Sequence, residues 1–472
     1  MFGYIFKTPE LKKRLLVTLG LLALYRLGIF ISIPGTDQTA LSGWVREMKG
    51  GFFSIFSLGI MPFLSASLLF QISSFLIPHL RKLSEGGKDQ RLRMAQYTYL
   101  GTALICIFQS LGLSRWIQSQ ISPLGFPLVA NPGLGFQLAT VITLTAGTFL
   151  LLFLARLINK YGIGNGVSLI LLTGIVGKIP PLIVVTARKI PLSSYTINDL
   201  NPFPYLFIAG AIFLSIAFVV MIWLSHQRVP VQHKDQTIYL PFHIGQTGLA
   251  IPIVLASSFL SLPATLIGFF GGGHLLFGTL LSLFSPASLF YNLLYALLII
   301  FFAYLYTAIT TNTDDIAKTM ERYDLSIPDC PSGESTANYL DRVLDRIVLV
   351  WALLIVGIAL LPGLLSLWRS FPFYFGGTSL IIVVAVILDT FSHLKESVSG
   401  LKEVFWHTDT TKIRITKILL EFAGIKAFVY GETYGKILGL NWGPLAEKKI
   451  LVSEEDYPKA CECLTNSLPV TY

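Results

Sequence analysis

Residues 159–172 read NKYGIGNGVSLILL, with glycines at 162, 164 and 166 directly ahead of an aliphatic run. Glycines so spaced suit either a loop that cradles phosphate or a tight connection where one apolar helix stops and another starts. A Walker-type loop needs Lys followed by Ser or Thr after its last glycine, so that the ammonium reaches the phosphates and the hydroxyl reaches Mg²⁺. Gly166 is followed instead by Val167 and Ser168. A dinucleotide loop needs G-x-G-x-x-G between a strand and a helix, whereas these glycines lie between two apolar stretches. The reading that remains is a turn between two membrane helices, with glycine supplying positive φ.

The rest of the chain agrees. Of 472 residues 53% are hydrophobic and 13% charged, with a mean hydropathy of +0.67, a composition of integral membrane proteins rather than soluble ones. A bilayer core about 30 Å thick takes roughly 20 apolar residues per helix, and about ten stretches before residue 391 meet that length. They begin near Leu15, Met61, Met94, Phe136, Gly166, Phe203, Gly245, Leu289, Val343 and Phe373. The first lacks a small-residue cleavage site and reads as a retained span, not a signal peptide. Lys and Arg concentrate on one side of these spans, as in Lys12, Lys13 and Arg14, in Arg81, Lys82, Lys88, Arg91 and Arg93, and in Arg342 and Arg346. Positive charge marks the cytoplasmic side. Both termini and the 79–93, 226–244 and 312–346 loops are thus predicted cytoplasmic.

Four cysteines, at 106, 330, 461 and 463, are too scattered for a disulfide framework. Cys461 and Cys463 are two apart rather than three and have no histidine cluster beside them, so neither a metal nor another cofactor is expected.

From Glu403 onward the composition changes to a near-neutral, soluble pattern. EVFW, IKAFVYG and KKILV read as strands, with a helix from about Thr410 to Ala423 ended by Gly424. Ser453 followed by Glu454, Glu455 and Asp456 reads as a further helix start. About 70 residues suffice for one small core. The expected organisation is a membrane domain over 1–395, a linker over 396–402 and an α+β, ferredoxin-like cytosolic domain over 403–472. GIKAFVYGE and ILVSEEDYPKACECL resemble the small ferredoxin-like domains grouped as prokaryotic signal-transducing proteins.

Within the membrane part, LYRLGIFISIPGTD, LGIMPFLSASLLFQ, AQYTYLGTALICIFQSLGL, KYGIGNGVSLILLTGIVGKIPP, AIPIVLASSFLSLPAT, LLYALLIIFFAYLYTA, SGESTANYLDRVLDRI and PFYFGGTSLIIVVAVILD occur in this order. Together they resemble the SecY family, the channel subunit of the general protein translocase, over roughly residues 9–395. The resemblance implies an all-α polytopic fold of ten transmembrane helices, built as two inverted five-helix halves. It also implies a bacterial-type inner membrane, SecE-like and SecG-like small subunits, a SecA motor or a ribosome on the cytoplasmic face, and an unfolded polypeptide as substrate.

Motif positions carry the family's pore ring onto Ile60, Leu64, Val167, Leu171, Val254 and Ile382. All six are aliphatic. Such a ring holds no ion ligand, dewets when empty and parts around an extended chain of any sequence. The lateral gate, between the second and seventh spans, falls on Ser65, Ser67, Gln71, Ser257 and Ser258, small and hydroxylated residues that permit close helix contact. Arg228, Lys234, Arg342 and Arg346 are the implied docking cations for cytosolic partners. Gly59 and Pro62 break the second apolar run, and broken backbone at membrane depth must face protein or a water-filled cavity. Arg26 and Asp389 are charges inside or near spans, expected to pair within the bundle or to be solvated, not to relay protons.

The chain also departs from the family. Its plug pattern is reduced to GGFFSIF, its 226–244 loop keeps only Arg228 and Lys234 as cations, and Pro331 stands where the family presents an arginine. These losses weaken the expected attraction to phosphate and to the motor. With no catalytic constellation, the chain is read as a passive protein-conducting channel and not an enzyme. Two alternatives are a non-conducting scaffold derived from the same fold, suggested by the trimmed loops, and a secondary transporter, which would need ionisable ligands at mid-depth.

Overall fold

The computed structural model describes residues 9–37, 40–41, 53–85, 88–121, 125–177, 226–233, 236–243, 252–257, 259–260, 288–322, 325–328, 330–331, 333–368, 402–407, 410–430 and 448–467, with isolated positions at 217, 220–221, 283–284, 379, 382–384, 386–387 and 390. The expected spans from Phe203 and Phe373, Asp389 and most of the linker lie outside these residues or are only touched by them.

In chain order the membrane part holds α1 (Pro9–Gly28), α2 (Met61–Leu76), α3 (Pro78–Glu85), α4 (Lys88–Gln118), α5 (Leu134–Tyr161) and α6 (Gly166–Val176). A hairpin follows, β1 (His226–His233) with β2 (Gln236–His243), then α7 (Leu289–Thr310), α8 (Thr313–Arg322) and α9 (Glu334–Trp368). Among the described residues, stretches within α4, α5, α7 and α9 are long and apolar enough to cross a membrane, and α2 and α6 are shorter apolar helices. The two largest apolar clusters lie in this part. One cluster gathers α2, α5 and α6 with Tyr25 of α1, and a second gathers α7, α9 and the helical residues 252–257 around the buried Trp351.

Several helices begin earlier than hydropathy predicts. α4 starts at Lys88, not Met94, and α9 at Glu334, not Val343. Hydropathy sees only the lipid-immersed length, while the backbone ladder continues into charged turns beyond it. Pro62, expected to break a helix, lies in the first turn of α2, where an N–H is not required.

The 162–166 turn refines the expectation for its glycines. Only Gly164 has positive φ, +75°. Gly166 is needed for space: a Cβ there would meet the backbone of Ala155 on α5. This is a site of close helix approach as much as of backbone freedom.

Beyond the membrane, β1 and β2 pair antiparallel from His226 opposite His243 to His233 opposite Gln236. The 226–244 stretch, expected to be a plain loop, is thus a hairpin, and the every-second-residue recurrence of Val229 and Val231, and of Ile238, Leu240 and Phe242, was its signal. Gln232 and Ser326 exchange backbone hydrogen bonds of 2.7 and 3.0 Å, tying the hairpin to the segment before α9.

The C-terminal residues form β3 (Lys402–His407), α10 (Thr410–Phe422), β4 (Ala427–Tyr430), β5 (Lys448–Val452) and α11 (Tyr457–Ser467). β5 lies between β3 and β4 and runs antiparallel to both. Gly424, at φ +76°, ends α10 as expected, and Ile425 N–H closes back onto Leu420 C=O at 2.9 Å. The expected helix start at Ser453 is instead a turn: Ser453 Oγ accepts from Asp456 N–H at 3.3 Å and α11 begins at Tyr457. Lys402 donates to Glu454 at 2.7 Å; this hydrogen bond holds the Glu454 carboxyl below its ordinary range and raises the Lys402 ammonium. Both groups are exposed, so the pair adds little to stability.

The glycine geometry gives a first prediction. Gly166→Ala should destabilise the purified protein by about 1–3 kcal/mol through forced overpacking. Gly135→Ala, where a Cβ meets nothing within 4 Å, should be neutral or slightly stabilising. Thermal unfolding in detergent of the two variants beside the parent checks the contrast.

Candidate channel constriction

Two interrupted stretches of backbone build the centre of the first bundle. In residues 53–60 the chain runs alongside the end of α1: Ile33 N–H donates to Phe53 C=O at 2.9 Å and Ile55 N–H to Ile31 C=O at 3.0 Å. Thr148 Oγ1 of α5 donates to Gly59 C=O at 3.2 Å, and the Phe56 ring lies 5.6 Å from that of Tyr25. Gly59 turns the chain at φ +58° and Ile60 caps α2. The second interruption is the glycine turn. Asn159 Oδ1 accepts from Gly166 N–H at 2.7 Å, Asn165 Oδ1 from Ser168 N–H at 3.1 Å, and Thr18 Oγ1 of α1 from Ile163 N–H at 2.9 Å. At the glycine turn three N–H groups thereby find side-chain oxygens; a buried N–H left without one costs several kcal/mol.

The outcome is the direction in which the next helices point. Ile60 and Leu64 at the start of α2, Val167 and Leu171 one turn apart on α6, Val254 and Ile382 all fall in one buried apolar cluster. None of the six is more than 8% exposed. Met61, beside Ile60, is turned out at 44%, so the chain sorts neighbouring residues between interior and periphery. Tyr25 and Tyr306 supply the hydroxyls of this cluster. Among the described residues, the buried polar ones include no Asp, Glu, Lys, Arg or His, and no group of three His, Cys, Asp or Glu could hold a metal.

Arg26 pairs inside the protein: its Nη2 donates to Gly177 C=O at 3.2 Å, just past α6. A cation at a helix C-terminus complements both the open carbonyl and the dipole.

The residues proposed for a gate are only partly brought together. Gln71 is buried and its Nε2 donates to Tyr306 Oη on α7 at 3.1 Å, a contact to the eighth span rather than the seventh. Ser257 Oγ donates within its own helix to Val254 C=O at 3.0 Å. Ser65 and Ser67 are half-buried, and Ser258 lies outside the described residues. Of the cations expected to dock cytosolic partners, Arg342 and Arg346 are exposed on α9, with Arg342 Nε donating to Asn338 C=O at 3.2 Å. Arg228 stands in β1 opposite Pro241, and Lys234 lies outside the described residues. Pro331 is exposed and its carbonyl accepts from Thr336 Oγ1 at 3.0 Å. Tyr306, Thr148 and Thr18 were not singled out in the sequence, because a lone hydroxyl in an apolar run carries no motif.

Comparison with known proteins decides the family. The SecY family profile matches residues 54–391. A protein translocase subunit SecY of Aquifex aeolicus (strain VF5) is 36% identical over 416 residues, which span 83% of this chain and 95% of the relative. The chain belongs to the SecY family. The Escherichia coli (strain K12) protein translocase subunit SecY is likewise 36% identical, over 80% of this chain and 90% of its own. Among solved structures, a SecY channel studied for its plug domain aligns with a TM-score of 0.57 at 16% identity, over 82% of this chain and 93% of that one. Canine Sec61 in a ribosome-channel complex aligns with a TM-score of 0.52 at 16% identity, over 82% and 93%. At these identities the structural likeness speaks to fold. Residues 401–467 match a second family, described as "Putative prokaryotic signal transducing protein".

The Gln71–Tyr306 bond gives a second prediction. Gln71→Leu or Tyr306→Phe alone leaves a buried polar partner and should cost about 1–3 kcal/mol. The double variant should cost less than the sum of the two, read as a coupling of about 0.5–3 kcal/mol in a double-mutant cycle of thermal stability.

Proposed function

We propose that this member of the SecY family is a passive protein-conducting channel whose closed state is sealed by Ile60, Leu64, Val167, Leu171, Val254 and Ile382. The observation that carries this reading is that six aliphatic side chains from four separate parts of the sequence share one buried cluster. An apolar constriction excludes ions because it offers nothing in place of their hydration shell, and it dewets because water there loses hydrogen bonds. An unfolded polypeptide differs from an ion in that its own apolar side chains and its length can hold the ring apart. No step of bond chemistry is needed, so the chain is not an enzyme and its driving force comes from partners.

The full arrangement we infer is ten transmembrane helices in two inverted five-helix halves over residues 1–395. A linker over 396–402 then leads to a small α+β cytosolic domain over 403–472. Both termini face the cytoplasm of a bacterial-type inner membrane, consistent with the basic 79–93 stretch and with Arg342 and Arg346 lying on one side. Hydrophobic segments leave sideways into lipid between the helix carrying Ser65, Ser67 and Gln71 and the helix carrying Ser257 and Ser258. Small hydroxylated residues on both helices let them part more readily than a tight aliphatic seam would.

SecE-like and SecG-like small subunits complete the membrane assembly. A ribosome, as in the canine Sec61 complex and in the yeast Ssh1 complex bound to the 80S ribosome, or a SecA motor supplies the chain from the cytoplasmic face. Exposed Arg342 and Arg346 suit such a partner, since guanidinium binds phosphate and carboxylate in a bidentate manner.

A photocrosslinker tests the ring directly. Placed at Ile60 or Val254, it should join an arrested translocating chain. At Leu69 or Leu138, exposed on the bundle surface at 57% and 61%, it should capture lipid and no substrate. Crosslinks to substrate that are equal at all four positions contradict the reading.

A further inference from the structure

Helix α10 is apolar on two opposite sides. The 3.6-residue repeat puts Ile413, Thr416 and Leu420 on one side and Ile415, Ile418, Leu419 and Phe422 on the other. The first side belongs to the core of its own unit, where Ile413 and Leu420 pack with Ile450, Val452 and Ala460. The second packs away from that unit. Ile415, Ile418 and Leu419 are buried in a cluster with Val231 of β1, Ile316 and Met320 of α8, Leu325, and Leu340 and Leu344 of α9. Lys417 and Glu421 pair along the edge between the two sides. A module swinging freely on a tether would show water a polar second face. This helix instead carries two apolar interfaces, one for folding its unit and one for seating that unit on the channel.

The seat lies among the elements that would meet a cytosolic partner. It joins the β1–β2 hairpin, the segment around Leu325 and the first turns of α9. Arg342 and Arg346 stay exposed, clear of this seat. The linker is short, so the local concentration of α10 at the seat is of order millimolar, above what a partner in solution reaches. α10 thus blocks the hairpin and the start of α9 by occupying the apolar surface they share.

We propose that residues 403–472 form a cap in cis: α10 occupies the apolar seat on the channel's cytosolic face and withholds the hairpin from the ribosome. This rests on the reading that the hairpin and α9 present the partner-docking surface. The capped channel keeps Arg342 and Arg346 for weak encounter, and firm docking requires the unit to leave.

The test uses the full chain in its membrane-embedded complex and 70S ribosomes as the probe. Two variants empty the seat from opposite sides: Ile418→Asp with Leu419→Asp on α10, and Val231→Asp on the hairpin, which leaves the C-terminal unit's own residues untouched. Lys459→Asp, exposed on α11, is the control. Both seat variants should bind ribosomes roughly tenfold more tightly than parent and control. Trypsin should also cut faster at Lys395, ahead of the unit. Ribosome binding that is unchanged, weaker or absent in every form, with the linker cut faster, overturns the cap. A linker no more accessible than in the parent overturns the seat itself. Neither result bears on substrate crosslinking at the ring, which depends on residues that α10 does not touch.

Discussion

Backbone inside a bilayer has no water to bond, so each place where a helix stops must be closed by the protein itself. The organisation of this channel follows from two such stops. Residues 53–60 and 162–166 both break the helical ladder, and both are answered by side-chain oxygens: Thr148 of α5 donating to Gly59 C=O, and Thr18 of α1, Asn159 of α5 and Asn165 of the turn itself accepting from Ile163, Gly166 and Ser168. These bonds fix where α2 and α6 begin and thereby which residues point inward. The aliphatic cluster is a consequence of the two closures. Were either loosened, Ile60 or Val167 would lose its direction before it lost its chemistry.

This explains how far the sequence could be read. The pairing of apolar runs with a Walker-less glycine cluster was enough to exclude nucleotide chemistry and to call for tightly joined membrane helices. Ordered motifs then pointed to the six ring positions, and the structure buries all six together. Less legible was anything carried by single hydroxyls. Gln71 was noted for a contact with the seventh span, yet its described partner is Tyr306, since spacing along one helix says nothing about which neighbour stands opposite. Helix starts were missed by several residues at Lys88 and Glu334 because charge hides helices that extend past lipid. The hairpin escaped because its charge was weighed and its alternation was not.

The face that carries the hairpin shows the same division between charge and geometry. Judged by cations alone, the 226–243 region looks stripped, a weakened docking loop. Its paired backbone, welded to Ser326 and supporting α10 through Val231, makes it a structural platform instead. The near-neutral C-terminal unit then reads as part of that platform, with one side of α10 serving its own fold and the other serving the channel.

The most direct measurement of the central claim is ion conductance across a planar bilayer holding the assembled resting complex. The account predicts a closed parent and a steady leak when Ile60, Val167 or Val254 is replaced by Asn, because a polar side chain wets the constriction. The same replacement at Leu138, on the exposed side of α5, should leave the membrane tight. Ring variants as tight as the parent, or a leak at Leu138 equal to theirs, would contradict it.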